Sequence, residues 1–207
     1  WRWVCMVAAV RGAEVEARAA WQIGRNDACP LYHRWAHVQQ VVQTATWLAG
    51  ETGADGEIVE AAAWLHDTRK SERNHGARGA ELALSILPET DFPPLKIDAV
   101  ADAIRQHAGM TRQDTEPMRP LEAAVLWDAD KLSKIGVQAL IYTMSSHYVV
   151  GMTMPERRRW NQDFVDHVLG ETVKSMNTEP ARILAEERYR RNVEVMDLWR
   201  KEEELTG

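Results

Sequence analysis

Hydrophobic residues recur at helical spacing along most of this chain, and no segment of useful length alternates as a strand would. The segment from Tyr32 to Glu51 shows the pattern most clearly, because its apolar positions follow a period of 3.6 residues. These positions are Trp35, Val38, Val41, Val42, Ala45 and Leu48. We therefore predict an all-α fold, a helical bundle of about eight or nine helices.

Start and stop signals divide the pattern into elements. Helices are predicted over residues 3–22, 32–51, 56–67, 74–87, 95–109, 121–132 continuing or bending into 136–150, from 153 onward, and 179–204. Asp55 is predicted to cap the helix that follows it, and Thr153 opens the capping-box pattern TMPE. The absence of an obvious linker predicts one domain over residues 1–207, with the helices after Thr153 packing on the rest.

Composition excludes several classes of protein. Of 207 residues, 45% are hydrophobic and 27% are charged, which is a normal globular balance. The net charge of −6 argues against a general nucleic-acid-binding surface. Cys5 and Cys29 are the only cysteines, too few for a thiolate zinc site and typical of a reducing cytoplasm. No apolar run is long enough for a membrane span, so we expect a cytoplasmic protein.

Polar residues stand where the helical pattern predicts buried positions. His66 and Asp67 end the apolar segment AAAWLHD, His37 lies on the apolar face of its helix, and Asp130 lies within LEAAVLWDADKL. A histidine near a helix end can simply complement the helix dipole. However, buried imidazoles and carboxylates need partners, and one divalent ion would satisfy all four.

Two imidazoles and two carboxylates form a mixed nitrogen and oxygen site. Such a site suits Mn²⁺, Fe²⁺, Ni²⁺, Co²⁺ or Mg²⁺, and it can also take Zn²⁺. Four protein ligands on an octahedral ion leave about two positions for water and substrate. This arrangement can therefore perform chemistry as well as stabilise the fold.

A resemblance rests on five segments taken in order, HRWAHVQQVV, AAAWLHDTRK, NHGARGAELA, AIRQHAG and DADKL. They resemble the successive motifs of the HD-domain superfamily of metal-dependent phosphohydrolases. The family signature is a His, a His-Asp doublet and a distal Asp that bind one metal within a helical bundle. The resemblance covers residues 30–140 and implies His37, His66, Asp67 and Asp130 as the ligands.

Two of these choices have competitors nearby. His33 precedes His37 by four residues, so both could face one ion on a helix. The resemblance favours His37, which directly precedes the valine-rich face. Asp128 competes with Asp130, but the family's acid is separated from a following Leu by one residue, as Asp130 is in DKL.

The resemblance also implies residues that act on the substrate. Lys70 stands where many members carry the lysine of HDIGK, and it would pair with a phosphate oxygen. His75 and His107 match further family histidines that would orient water, protonate a leaving oxygen or bind a second metal. Asp67 would also hold the attacking water. The ordinary alternative is a solvated Lys70 and two structural histidines, and Arg69 departs from the family's small residue.

The function that follows is a hydrolase with one divalent metal. It would cleave a phosphomonoester, a nucleotide or a related phosphate compound with a metal-activated water. One alternative is a metal-binding regulatory or ligand-binding module without turnover, and another is a helical structural protein without metal. The chain contains no glycine-rich phosphate loop and no GxSxG nucleophile motif.

Overall fold

The computed structural model describes residues 33–70, 72–112 and 116–204, and every regular element in these ranges is a helix. The α-helices are α1 (His33–Thr52), α2 (Gly56–Leu65), α3 (His75–Ile86), α4 (Ile97–Gln106), α5 (Leu121–Leu132), α6 (Val137–Ser145), α7 (Met154–Asp163), α8 (Gly170–Lys174) and α9 (Glu179–Glu204). A π-helical turn, Phe164–Leu169, joins α7 to α8, and short 3-10 turns occupy Leu87–Glu89, Pro94–Lys96 and His147–Val149. The all-α prediction is confirmed, whereas the helix predicted over residues 3–22 lies outside the described residues.

The core lies where α1, α2, α4 and α5 pack together, with α3 against α4 and α9 across α5 to α8. Val41, Ala45 and Leu48 on α1 are fully buried, as the helical period predicts. Trp127 on α5 fills the centre of the bundle with 1% of its surface exposed. Each described helix is too short or too polar to cross a membrane.

Asp55 fixes the beginning of α2. Its side chain accepts hydrogen bonds from the backbone N–H groups of Glu57 and Ile58, at 3.0 and 3.3 Å, which confirms the predicted cap. The backbone N–H of Asp55 donates to the Glu122 side chain at 3.0 Å. The beginnings of α2 and α5 are thereby held side by side.

The end of α2 differs from the prediction. The apolar pattern predicts a helix that reaches Asp67, but α2 ends at Leu65. The carbonyl of Leu65 accepts from both the backbone N–H and the hydroxyl of Thr68, at 3.2 and 2.8 Å, and the chain continues in tight turns. Lys70 therefore lies in a turn instead of on the helix, with its N–H bonded to the carbonyl of Asp67 at 3.1 Å.

Helix α9 holds the segment that follows α5. The side chain of Asn192 accepts from the N–H of Gly136 at 2.7 Å and donates to its carbonyl at 3.1 Å. Gly136 has a φ of 112°, which favours glycine and separates α5 from α6. Arg188 donates to the carbonyl of Leu132 at 2.7 Å, so the last turn of α5 is anchored from outside.

Helix α3 approaches the end of α4 very closely at a glycine. A Cβ atom added to Gly76 would lie 2.9 Å from the carbonyl oxygen of Arg105 and 3.2 Å from that of Ile104. Both contacts are with backbone atoms, which cannot rotate away. The absence of a side chain at Gly76 therefore sets the spacing between the segments that carry His75 and His107.

Gly76→Ala is expected to lower the free energy of unfolding by about 1–3 kcal/mol, because the added methyl group forces α3 and α4 apart. Gly50→Ala is the matched control: Gly50 is exposed on α1 and no atom lies within 4 Å of the added Cβ. That control is expected to raise stability by about 0.5–1 kcal/mol. Urea unfolding measures the free energy of unfolding of both variants. Equal changes in the two variants would contradict the close approach of α3 and α4 at Gly76.

Candidate metal centre

Three segments bring the four predicted ligands to one buried point. His37 comes from α1, His66 and Asp67 follow the end of α2, and Asp130 lies in the last turn of α5. The exposed fraction of each is 7% or less. The Nε2 atom of His37 lies 3.3 Å from Nε2 of His66, 3.5 Å from Oδ2 of Asp67 and 3.3 Å from Oδ1 of Asp130. Nε2 of His66 lies 3.8 and 3.9 Å from the same two oxygens.

Two of the buried imidazoles are oriented by the helices that they follow. Nδ1 of His66 lies 2.7 Å from the carbonyl of Ala63, and Nδ1 of His107 lies 2.6 Å from that of Ile104. A carbonyl only accepts, so Nδ1 carries the proton in both rings. The Nε2 lone pairs of His66 and His107 therefore point into the site.

The His37 ring is oriented by Ser133. The Ser133 hydroxyl donates to the carbonyl of Asp130 at 2.6 Å, so its oxygen is left to accept from Nδ1 of His37 at 3.0 Å. The lone pair of Nε2 then faces the other donor atoms. Such outer hydrogen bonds commonly fix metal-binding imidazoles.

The donor atoms fit a divalent ion. Burial lowers the pKa of His66 to about 3, although Asp67 and Asp130 raise it, so this ring is neutral near pH 7. Two nitrogen lone pairs 3.3 Å apart repel each other unless a cation lies between them. Donors on one octahedral ion at about 2.1 Å stand about 3.0–4.2 Å apart. The five distances given above, between the two Nε2 atoms and from them to the two carboxylates, fall within that range, and the donor atoms of His37, His66 and Asp67 all lie within 4.8 Å of one another.

The outer side of Asp67 faces a second group of polar side chains. Its Oδ1 atom lies 3.0 Å from Nζ of Lys70 and 3.5 Å from Nε2 of His107. Lys70 is also 3.4 Å from Nε2 of His75, whose ring centre is 5.0 Å from that of His107. Burial and the Lys70 charge lower the pKa of His75 to about 4. The structure therefore gathers all the residues predicted to act on substrate at one side of the ligand cluster.

The charge of Asp67 is set by these neighbours. Burial by itself raises the pKa of a carboxyl, but His66, His107, His37 and Lys70 hold the pKa of Asp67 well below its usual value. The Nε2 atom of His107 is buried and finds no hydrogen-bond partner among the described residues. An unpartnered nitrogen beside an ionised carboxylate is suited to a water or a substrate oxygen.

Two lysines that the sequence pattern does not single out contact Asp130. Lys131 pairs with its Oδ2 atom and Lys134 with its Oδ1 atom. Burial would raise the pKa of Asp130, but the two ammonium groups hold it well below the usual value. Burial also lowers the pKa of Lys131 to about 8, against the pull of Asp130. The available signal was a lysine inside an apolar helix, directly after a predicted ligand.

Asp128 points away from the cluster. Its carboxylate accepts from the backbone N–H groups of Asn177 and Thr178, at 2.9 and 2.8 Å, and from both of their side chains, at 2.8 and 2.7 Å. Burial raises the pKa of Asp128, and these four hydrogen bonds oppose that shift. Asp128 thus ties α5 to the beginning of α9, and Asp130 is the acid beside the imidazoles. The side chain of His33 lies outside the described part of the chain.

Asp128→Ala is expected to lower the free energy of unfolding by about 2–4 kcal/mol, because four donors lose one acceptor. Its metal affinity should stay within about threefold of the wild-type value, since no ligand is touched. Asp130→Ala should instead lose the ion. Urea unfolding and metal titration of both variants decide between the two acids, and a loss of metal in Asp128→Ala would reverse the choice.

Residues 34–135 match the family model of the HD domain, a segment that contains the whole cluster. The match confirms the resemblance carried by the motifs. No match is found among curated proteins.

Solved structures share the fold. A predicted HD superfamily hydrolase from an uncultured Thermotogales bacterium is 25% identical, with a TM-score of 0.61 over 95% of this chain and 90% of that chain. An HD-superfamily hydrolase from Bacillus thuringiensis is 22% identical, with a TM-score of 0.66 over 95% and 97%. Bacillus subtilis YpgQ, solved in complex with ADP, is 22% identical, with a TM-score of 0.63 over 82% and 89%.

Proposed function

We propose that this chain, whose residues 34–135 match the HD domain, is a metal-dependent phosphohydrolase. It would cleave a phosphate compound with a metal-activated water. One observation carries this proposal. Two imidazole lone pairs and two carboxylates converge on a buried point, and the Lys70 ammonium group stands beside it. A hydrolytic site needs this combination of a cation-binding cluster and a positive group for the phosphate.

His37, His66, Asp67 and Asp130 would hold the ion. The mixed donor set suits Mn²⁺, Fe²⁺, Ni²⁺, Co²⁺ or Mg²⁺, with Zn²⁺ also accommodated. When bound, the ion supplies Lewis acidity to a phosphate oxygen and lowers the pKa of a water. Burial of the four side chains excludes bulk water and keeps the His66 imidazole neutral and ready to bind.

The second group of side chains would act on the substrate. Lys70 is 31% exposed, so its ammonium group can reach a phosphate oxygen while it stays near Asp67. The inward lone pair of His107 can accept a proton from water, and His75 stands beside it. Oδ1 of Asp67, which faces Lys70 and His107, can hold that water in place.

The proposed substrate is a phosphomonoester, a nucleotide or a related phosphate compound. The ADP complex of YpgQ supports a nucleotide among these candidates. A second candidate function is a metal-binding module without turnover. It is favoured by the lysines on Asp130, which balance that carboxylate before any ion arrives.

Elemental analysis of protein purified without chelator tests the proposal, followed by phosphate-ester and nucleotide hydrolysis with Mn²⁺, Co²⁺, Ni²⁺ and Mg²⁺. We expect one divalent ion per chain and phosphate release that depends on the ion. Bound metal without hydrolysis of any substrate would favour the module without turnover. If the protein contains no metal after this purification, the remaining interpretation is a helical structural protein without metal.

His107→Ala is expected to keep one metal per chain and to lower turnover by about 100-fold, because an acid–base group is lost. Asp67, His75 and His107 could hold a second ion, but the ammonium group of Lys70 already contacts two of them. His167→Ala is the control, since His167 is exposed on the π-helical turn. Two ions per wild-type chain, with one in His107→Ala, would contradict a single metal.

A further inference from the structure

Asp130 is held by two lysines that differ in their freedom to move. Lys131 is 2% exposed, and its ammonium group bonds both Oδ2 of Asp130 and the carbonyl of His107, the latter at 2.9 Å. Lys134 is 25% exposed, and its ammonium group contacts Oδ1 and the carbonyl of Asp130 itself. Lys131 is thus locked between two segments, whereas Lys134 reaches Asp130 from the solvent side.

The oxygen that Lys134 contacts is the one that an ion would need. Oδ1 of Asp130 lies 3.3 and 3.9 Å from the Nε2 atoms of His37 and His66, whereas Oδ2 is occupied by Lys131. An ion at the cluster would share Oδ1 with the Lys134 ammonium group. Two cations on one buried oxygen repel each other strongly, so Lys134 must leave when the ion binds.

After its release, the Lys134 ammonium group would remain beside a positively charged site. Two carboxylates and three lysines give one net positive charge, and a divalent ion raises it to three. The three lysines are Lys70, Lys131 and Lys134. The chain as a whole carries −6, so this positive charge is local and suits an anion.

We propose that Lys134 is a substrate-binding residue that rests on Oδ1 of Asp130 until the metal takes this oxygen, and then contacts a phosphate oxygen of the substrate. The inference rests on the proposed function and adds Lys134 to Lys70 as a second phosphate-binding lysine. Lys134 would compete with the metal for Asp130 and help to bind phosphate. Removing Lys134 would therefore raise the affinity for the metal and lower the affinity for phosphate.

Lys134→Met tests this with two titrations that do not depend on turnover. The Kd for Mn²⁺, measured by calorimetry on chelator-treated protein, is expected to fall about tenfold because the internal competitor is gone. The Kd for inorganic phosphate on the Mn²⁺-loaded protein is expected to rise about tenfold because a charged donor is gone. If Lys134 only supported the fold, its removal would weaken the binding of both Mn²⁺ and phosphate.

Lys174→Met is the matched control, because Lys174 pairs with an acid three residues away at 2.7 Å and is 71% exposed. It should leave both constants unchanged. Wild-type affinities in Lys134→Met, or a change of both in the same direction, would overturn the role of Lys134 and leave the proposed hydrolase intact. Wild-type protein that binds no Mn²⁺ would overturn the proposed function and this inference with it.

Discussion

Asp67→Ala is expected to lose the metal while the helices remain. Oδ2 of Asp67 lies 3.5 and 3.8 Å from the Nε2 atoms of His37 and His66, so the carboxylate supplies negative charge to both. Without it, two imidazole rings and one lysine-paired acid remain, a poor set for a dication. The Kd for Mn²⁺ should rise at least about 100-fold, more than the loss of an outer hydrogen bond causes.

His66→Ala is expected to have the same effect for a different reason. The ring is fully buried, and its protonated Nδ1 is held by the carbonyl of Ala63, so no other side chain can supply this nitrogen. The lost packing should lower the free energy of unfolding by about 1–3 kcal/mol. Elemental analysis, metal titration and circular dichroism measured well below the unfolding transition separate the loss of metal from the loss of fold.

Asp197→Ala is the control for the change of charge, because Asp197 lies on α9 with 42% of its side chain exposed and pairs with Arg200 and Lys201. It should bind metal as the wild type does. Stoichiometric metal in both Asp67→Ala and His66→Ala would refute the ligand assignment. Loss of helicity in either variant would instead show that the cluster supports the fold directly.

The parts of the fold that the sequence predicts are those that depend on local pattern. Periodicity locates α1 to within a residue, and the Asp55 cap follows from residue type alone. His66, Asp67 and Asp130 stand out because polar residues interrupt apolar helical faces. One domain over residues 1–207 and the ligand role of these residues stay predictions.

The parts that the sequence does not predict depend on partners far away along the chain. On α9 the apolar side chains of Ile183 and Val193 are 58% and 41% exposed, whereas the polar side chain of Asn192 is fully buried. Asn192 is buried because Gly136 supplies both of its hydrogen bonds. The contacts of Lys134 are likewise unpredictable, since a long side chain at a helix end can point to water equally well.

Lys70→Ala is expected to keep the metal and to lower turnover by about 100- to 1,000-fold, the usual effect of removing one group that stabilises transition-state charge. Lys70 contacts Oδ1 of Asp67, whereas Oδ2 is the oxygen near His37 and His66, so Oδ2 stays available to the ion. The Kd for Mn²⁺ should therefore stay within about threefold. Turnover of the substrate found in the phosphate screen is measured under saturating metal.

Lys174→Ala is the matched control, because both lysines form an ion pair with an acid three residues before them and both changes remove one positive charge. Its turnover should equal that of the wild type. Ethylammonium added to Lys70→Ala should restore part of the rate, since it can occupy the space of the lost ammonium group beside Asp67 and His75. If the rate and the Michaelis constant are unchanged in Lys70→Ala, Lys70 only neutralises Asp67, and another group must stabilise the phosphoryl charge.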